Sequence, residues 1–126
     1  MGDAADGPRQ HAQMAGYYQL IEGFDGGFAF ALRAGNHGCI FESRVFWSRQ
    51  AALDAVERFR TLVQDDRHLV AVRNAKDQHV LELRDTDQRT MGQGNACNSA
   101  AGLSASRAAL RRNAPAPGFR GLVRRT

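Results

Sequence analysis

Cysteine is scarce in this 126-residue chain: Cys39 and Cys97 are the only two. Two thiols do not make the disulfide framework of a small secreted domain, so buried, reduced thiols in a cytoplasmic protein are expected. The four histidines (His11, His37, His68, His79) are scattered, and neither His-x-x-x-His nor Cys-x-x-Cys spacing occurs, so no metal site is expected. No apolar run approaches the roughly 20 residues of a membrane-spanning helix, so no membrane partner is expected. Met1 to Gly16 lacks an apolar stretch and carries Asp3 and Asp6, which does not fit a secretory signal. Ala5 and Asp6 after Gly2 do not fit a myristoylation signal. Lysine is nearly missing, with Lys76 alone against 16 arginines.

Acidic residues stop at Asp87. Residues 1–87 carry a formal charge of −3, and residues 88–126 carry +7 from Arg89, Arg107, Arg111, Arg112, Arg120, Arg124 and Arg125. A basic C-terminal third on a mildly acidic body suits an anionic partner such as nucleic acid. The same bias has a compositional reading, since arginine in place of lysine with abundant Ala and Gly also follows from a base-rich genome.

What the chain does have is an internal echo. Phe28–Arg60 lies over His79–Arg111 at a constant offset of 51 without a gap. Leu32 falls on Leu83, Arg33 on Arg84, Ile40 on Met91, Ser48 on Ser99 and Phe59 on Leu110. The match runs through residue class more than identity. A shared period predicts one supersecondary unit used twice, each copy burying the other's apolar face. A lone unit of about 50 residues buries too little surface to be stable by itself.

Tyr17–Glu22 reads as a strand, followed by a hairpin turn at Asp25-Gly26-Gly27, where glycine accepts positive φ. Phe28, Phe30 and Leu32 alternate with Ala29, Ala31 and Arg33, the period of a half-buried strand. A turn at Gly35–Gly38 precedes a third strand at Cys39–Phe41. Ser48 is the expected N-cap of a helix in which Ala52, Val56, Phe59 and Val63 recur at helical spacing, with Asp54, Glu57, Arg58 and Arg60 outward. The second copy repeats the plan at His68–Arg73, His79–Arg84 and Arg89–Gly92. Its helix starts at Ser99 or Ser104 and ends near Asn113, with Pro115 and Pro117 beyond. The expected organisation is a disordered segment 1–15, a first β-β-β-α repeat at 16–66, a degenerate second repeat at 67–114 and a basic tail at 115–126. The fold class is α+β: an antiparallel sheet with helices on one face, in pseudo-two-fold arrangement. The expected core is Tyr18, Leu20, Phe28, Phe30, Leu32, Ile40, Phe46, Val56, Phe59, Leu69, Leu81, Leu83, Leu103 and Leu110.

Phe28, Phe30, Leu32, Arg33, Ala34 and Asn36, then Cys39-Ile40, then Ser43, Phe46, Ser48 and Arg49, then Ala55–Phe59, form a pattern. It resembles the YegP-like (UPF0339) family of small bacterial and archaeal proteins of unknown function. The likeness covers residues 16–64 well and 67–114 faintly. The family's Asn-Gly turn reads Asn36-His37-Gly38 here, and the second copy lacks most signature residues. The resemblance implies tandem ββ-β-α units like a fused dimer; it implies no activity, cofactor or ligand.

Other motifs are structural on their residues. Asp85-Thr86-Asp87 lacks the later glycine and closing glutamate of a calcium loop, so a hairpin turn is expected. Gly92-Gln93-Gly94 lacks the third glycine of a dinucleotide fingerprint, because that position holds Cys97. Cys97 near a helix start, with His79 brought close by repeat geometry, is a poor candidate nucleophile, and filling the space of Phe46 is the alternative. Trp47 follows inward Phe46 and is expected to point outward, a contact surface beside Arg44 and Arg49 or part of the core. The leading expectation is therefore a non-catalytic cytoplasmic binding or structural module, with a protein partner or self-association and no cofactor. The alternative is nucleic-acid or polyanion binding through Arg107, Arg111, Arg112, Arg120, Arg124 and Arg125.

Overall fold

The computed structural model describes residues 16–23 and 25–125. The segment 1–15, expected to be disordered, lies outside them. The chain runs β1 (Tyr17–Gly23), β2 (Phe28–Arg33), β3 (Cys39–Ser43), α1 (Arg49–Leu62), β4 (Leu69–Arg73), β5 (His79–Arg84), β6 (Thr90–Gly94), α2 (Ala100–Asn113) and β7 (Phe119–Arg125). The strands form one seven-stranded sheet in the order β4-β5-β6-β3-β2-β1-β7. The fold is mixed α+β, with both helices contributing to one core on one face of that sheet.

Local sequence explains most of the elements. The Asp25–Gly27 turn closes with Gly26 at φ 86° and the Gly27 N–H donating to Asp25 Oδ1 at 3.1 Å. Ser48 caps α1 by accepting from the Ala51 N–H at 3.0 Å, and Ser99 caps α2 by accepting from Gly102 at 3.0 Å. Of the two candidate starts for the second helix, Ser99 is thus the cap. The matched elements β2 and β5, β3 and β6, and α1 and α2 each begin 51 residues apart.

The core forms where alternate strand residues meet the helices. Tyr18, Leu20, Phe30, Leu32, Leu69, Leu81 and Leu83 face Val56, Phe59 and Leu110. Fully burying such side chains contributes about 1.5–3 kcal/mol each before chain entropy is counted. Three expected core residues (Phe28, Ile40 and Leu103) are only partly buried against it. Phe41 holds the place expected of Ile40, because the β2–β3 register shifts between Leu32↔Phe41 and Arg33↔Cys39 and leaves Ile40 in the bulge. Arg60, expected to face outward, is half-buried: its Nη2 donates to the Ala116 carbonyl at 2.7 Å.

The main correction concerns residues 115–126. Six strands in an all-antiparallel sheet were expected, with a tail after them. Instead Phe119–Arg125 forms β7, which pairs parallel with β1 and covers its edge. Gly121, at φ 65°, sits in a bulge where Phe119 and Leu122 oppose Tyr18 and Leu20. The positive charge hid the strand: Phe119, Leu122 and Val123 carry the apolar signal, but the bulge breaks their alternation. Ala114 and Ala116 are buried on the way to it, and the Tyr18 hydroxyl donates to the Ala114 carbonyl at 2.6 Å. Burial pushes the Tyr18 phenol up to about 12.

Candidate binding surfaces

The six arginines expected to bind polyanions fall on two elements. Arg107, Arg111 and Arg112 lie on α2, and Arg120, Arg124 and Arg125 on β7. Several are engaged within the fold. The Arg111 Nε donates to the Val63 carbonyl at 2.9 Å, and its Nη2 pairs with Asp66. That guanidinium holds the Asp66 carboxyl below its ordinary value. The Arg124 Nε lies 3.4 Å from Glu22 Oε1, and Arg120 sits 4.6 Å over the Tyr17 ring. Arg112 is exposed, and Arg125 aligns through its backbone with Gly23. The helix trio is thus partly spent joining α2 to the α1–β4 connection, and the strand trio lines an edge of the sheet.

The sheet face away from the helices has two characters. Near β1 and β2 it is apolar, with Ile21, Ala29 and Ala31 packed against Cys39 and Val123. Near β5 and β6 it is polar. The Glu82 carboxylate accepts from Arg84 Nε at 2.9 Å, Thr90 Oγ1 at 3.0 Å and Gln93 Nε2 at 3.2 Å. Partial burial raises the Glu82 pKa, but these donors outweigh it and hold the carboxyl below the ordinary value. Between the two regions, along the β3–β6 seam, runs an open trough of about 480 Å³. Glu42, Arg44, Thr90, Gln93 and Asn95 are among its lining residues.

Cys97 and His79 do come together. They form an antiparallel bridge, with the His79 N–H donating to the Cys97 carbonyl at 2.8 Å and the reverse bond at 2.7 Å. The thiol itself donates to the Asn95 carbonyl at 3.5 Å. Both cysteines are free and partly exposed, which corrects the expectation of buried thiols. Asp85 makes the hairpin turn expected of it, accepting from the Asp87 and Arg89 N–H groups at 2.8 and 3.0 Å. Among the described residues, no three His, Cys, Asp or Glu side chains converge as metal ligands. Among them, too, no helix is long and apolar enough to cross a membrane.

The largest departure from a sealed surface lies between β3 and α1. Trp47 is 76% exposed and Val45 46%, as the outward reading of Trp47 expects. Phe46 is buried, bridged to Phe28 by backbone bonds of 2.6 and 2.7 Å. Arg44 lies 4.3 Å over the Phe46 ring and Arg49 6.0 Å over the Phe28 ring. Phe41, two residues before Ser43 on β3, is in the core.

This architecture and the first-half signature meet in the comparison with known families. Residues 25–68 match the family described as a domain of unknown function, DUF1508. That stretch is similar to a DUF1508 domain. The resemblance to the UPF0339 group is borne out by two solved structures. A UPF0339 protein from Shewanella oneidensis is similar at a TM-score of 0.77 and 19% identity, over 86% of this chain and 92% of that one. The yegP protein of unknown function from E. coli is similar at 0.79 and 19%, over 86% and 93%. These likenesses establish the fold. No match was found among curated proteins. The matched stretch contains β2, β3, α1 and the whole exposed Trp47 loop, and the family it is similar to is described as being of unknown function.

Proposed function

We propose that this chain is a non-catalytic cytoplasmic binding module, built of two β-β-β-α copies about a pseudo-two-fold axis at the β3–β6 seam. The duplication is supported by the spacing of matched elements, by the Ser48 and Ser99 caps, and by positive φ at His37 and Gln88, also 51 residues apart. The observation that carries the binding role is the exposure of Trp47 beside Val45. A large aromatic ring left in water beside a second exposed apolar side chain is a candidate contact surface. Cys97 and His79 are the nearest approach to a catalytic pair, and the thiol donates to the Asn95 backbone carbonyl. The test is a screen of the full chain for hydrolase, transferase and thiol-redox activity. No turnover is expected, and an activity abolished by Cys97→Ala or His79→Ala would overturn the reading.

A second reading, polyanion binding through Arg107, Arg111, Arg112, Arg120, Arg124 and Arg125, is favoured by the lack of any acid after Asp87 and by the row of arginines along β7. Truncation after Asn113 would be a poor test, because it removes β7 and buried Ala114 and Ala116. Replacing Arg120, Arg124 and Arg125 together by glutamine keeps the strand. Salt-dependent oligonucleotide binding that disappears in this variant supports the reading; binding unchanged by it counts against it.

A further inference from the structure

The geometry points to a single-stranded nucleic-acid site at the end of the sheet where the Trp47 loop and β7 converge. This inference rests on the binding-module reading and names its partner.

The convergence follows from strand register. Arg124 of β7 opposes Glu22 of β1, Glu22 opposes Phe28 of β2, and Phe28 bridges to Phe46. These four residues, drawn from positions as far apart as 22 and 124, form one transverse row. Directly opposed residues on neighbouring strands share a face of the sheet. Three inter-strand steps of about 4.8 Å make the row roughly 14 Å long. Arg49 covers Phe28 and Arg44 covers Phe46, so the row is studded with cations: Arg124 at one end, Arg49 within it and Arg44 at the other. All three arginines are exposed. Trp47, 76% exposed, follows Phe46 in the chain at the Arg44 end of the row. The carboxylates near this row are Glu22, already shared with Arg124, Asp25, which accepts from the turn N–H of Gly27, and, around Arg44, Glu42, Glu57 held by Arg60, and Asp85 and Asp87 of the neighbouring turn.

A line of spaced guanidinium groups ending in an exposed indole suits a flexible phosphate backbone whose bases can stack. A duplex presents no free base face to Trp47. An anionic membrane is a poorer fit, because burying this rim in lipid would also desolvate Glu22 and Asp25. The corresponding positions in the second half, Asn95, Ala96, Asn98 and Ala100, carry neither charge nor ring. The site therefore occurs once.

Trp47 is the sole tryptophan, so its emission reports stacking directly. The experiment titrates the full chain with a mixed-sequence single-stranded 12-mer at low and near-physiological salt, following emission and the anisotropy of the labelled oligonucleotide. The same oligonucleotide as a duplex, and vesicles containing phosphatidylserine, serve as competitors. Quenching on binding is expected, with a log–log salt slope of about −2 if three phosphates are neutralised. Trp47→Ala should weaken binding about tenfold or more. Arg44→Gln with Arg49→Gln should flatten the slope, while circular dichroism stays that of the parent. Binding without quenching, or binding untouched by Trp47→Ala but lost on removing the β7 arginines, overturns this site and leaves the polyanion reading standing. Preference for duplex or for vesicles overturns it in favour of those partners. No binding to any of the three overturns it and leaves only the protein-partner form of the binding-module reading.

Discussion

At four matched core positions the first half carries Tyr18, Phe30, Phe41 and Phe59, and the second carries Leu69, Leu81, Gly92 and Leu110. In the first half, the rings of Phe41 and Phe59 lie 4.5 Å apart and those of Phe30 and Phe59 5.7 Å apart. The second half is aliphatic and, at Gly92, empty of side chain. The reason sits at the seam. A Cβ on Gly92 would lie 2.6 Å from the Phe41 ring and collide with the backbone of Glu42 and Ser43. One large ring reaches across a boundary where two cannot fit. The two sides of the seam are therefore complementary in packing.

The largest effect should come from the aromatic side of this comparison. Phe59→Ala is expected to cost about 3–5 kcal/mol, and Leu110→Ala less within a range of about 2–5 kcal/mol, by urea denaturation. Equal costs would break the view that the first half anchors the core. A smaller effect tests the seam. Gly92→Ala should destabilise by about 1–3 kcal/mol, because the obstruction is backbone as well as ring. Gly94→Ala should be near neutral, since its Cβ would meet nothing closer than 3.4 Å. If the two behave alike, the seam is looser than drawn.

The smallest effect distinguishes the halves by pH. Ala31 in the first half corresponds to Glu82 in the second, and only Glu82 titrates. Its carboxyl is held below the ordinary value of 4.5 in the folded chain. The unfolded chain therefore takes up the proton first as pH falls. The stabilisation is complete above about pH 4.5 and is lost as pH drops through the lower folded value. Amide protection factors, corrected for the intrinsic pH dependence of exchange, should fall in β4–β6 on acidification before those in β1–β3, and Glu82→Gln should remove the difference.

Much of this was legible in the chain because local chemistry does not need the rest of the fold. Serine at an N-cap accepts an orphan N–H wherever a helix starts, so Ser48 and Ser99 announced α1 and α2. Asp25-Gly26-Gly27 and Asp85 announced their turns for similar reasons. Other features were set by contacts across the sequence. The β2–β3 bulge put Phe41 rather than Ile40 into the core, and nothing in Cys39-Ile40-Phe41 signals a register shift. Arg60 turned inward because Ala116, 56 residues later, offers it a carbonyl.

The sequence by itself determined the caps, the turns, most of the buried positions and the outward direction of Trp47, because each follows from backbone chemistry or from alternation within a few residues. Tertiary structure alone decided that the basic C-terminal segment is an edge strand and that it runs parallel to β1. It thereby set Arg124 in line with Arg49 and Arg44. A strand's partner is chosen by which sheet edge is left unpaired once the other strands have assembled, and that edge does not exist until the chain folds.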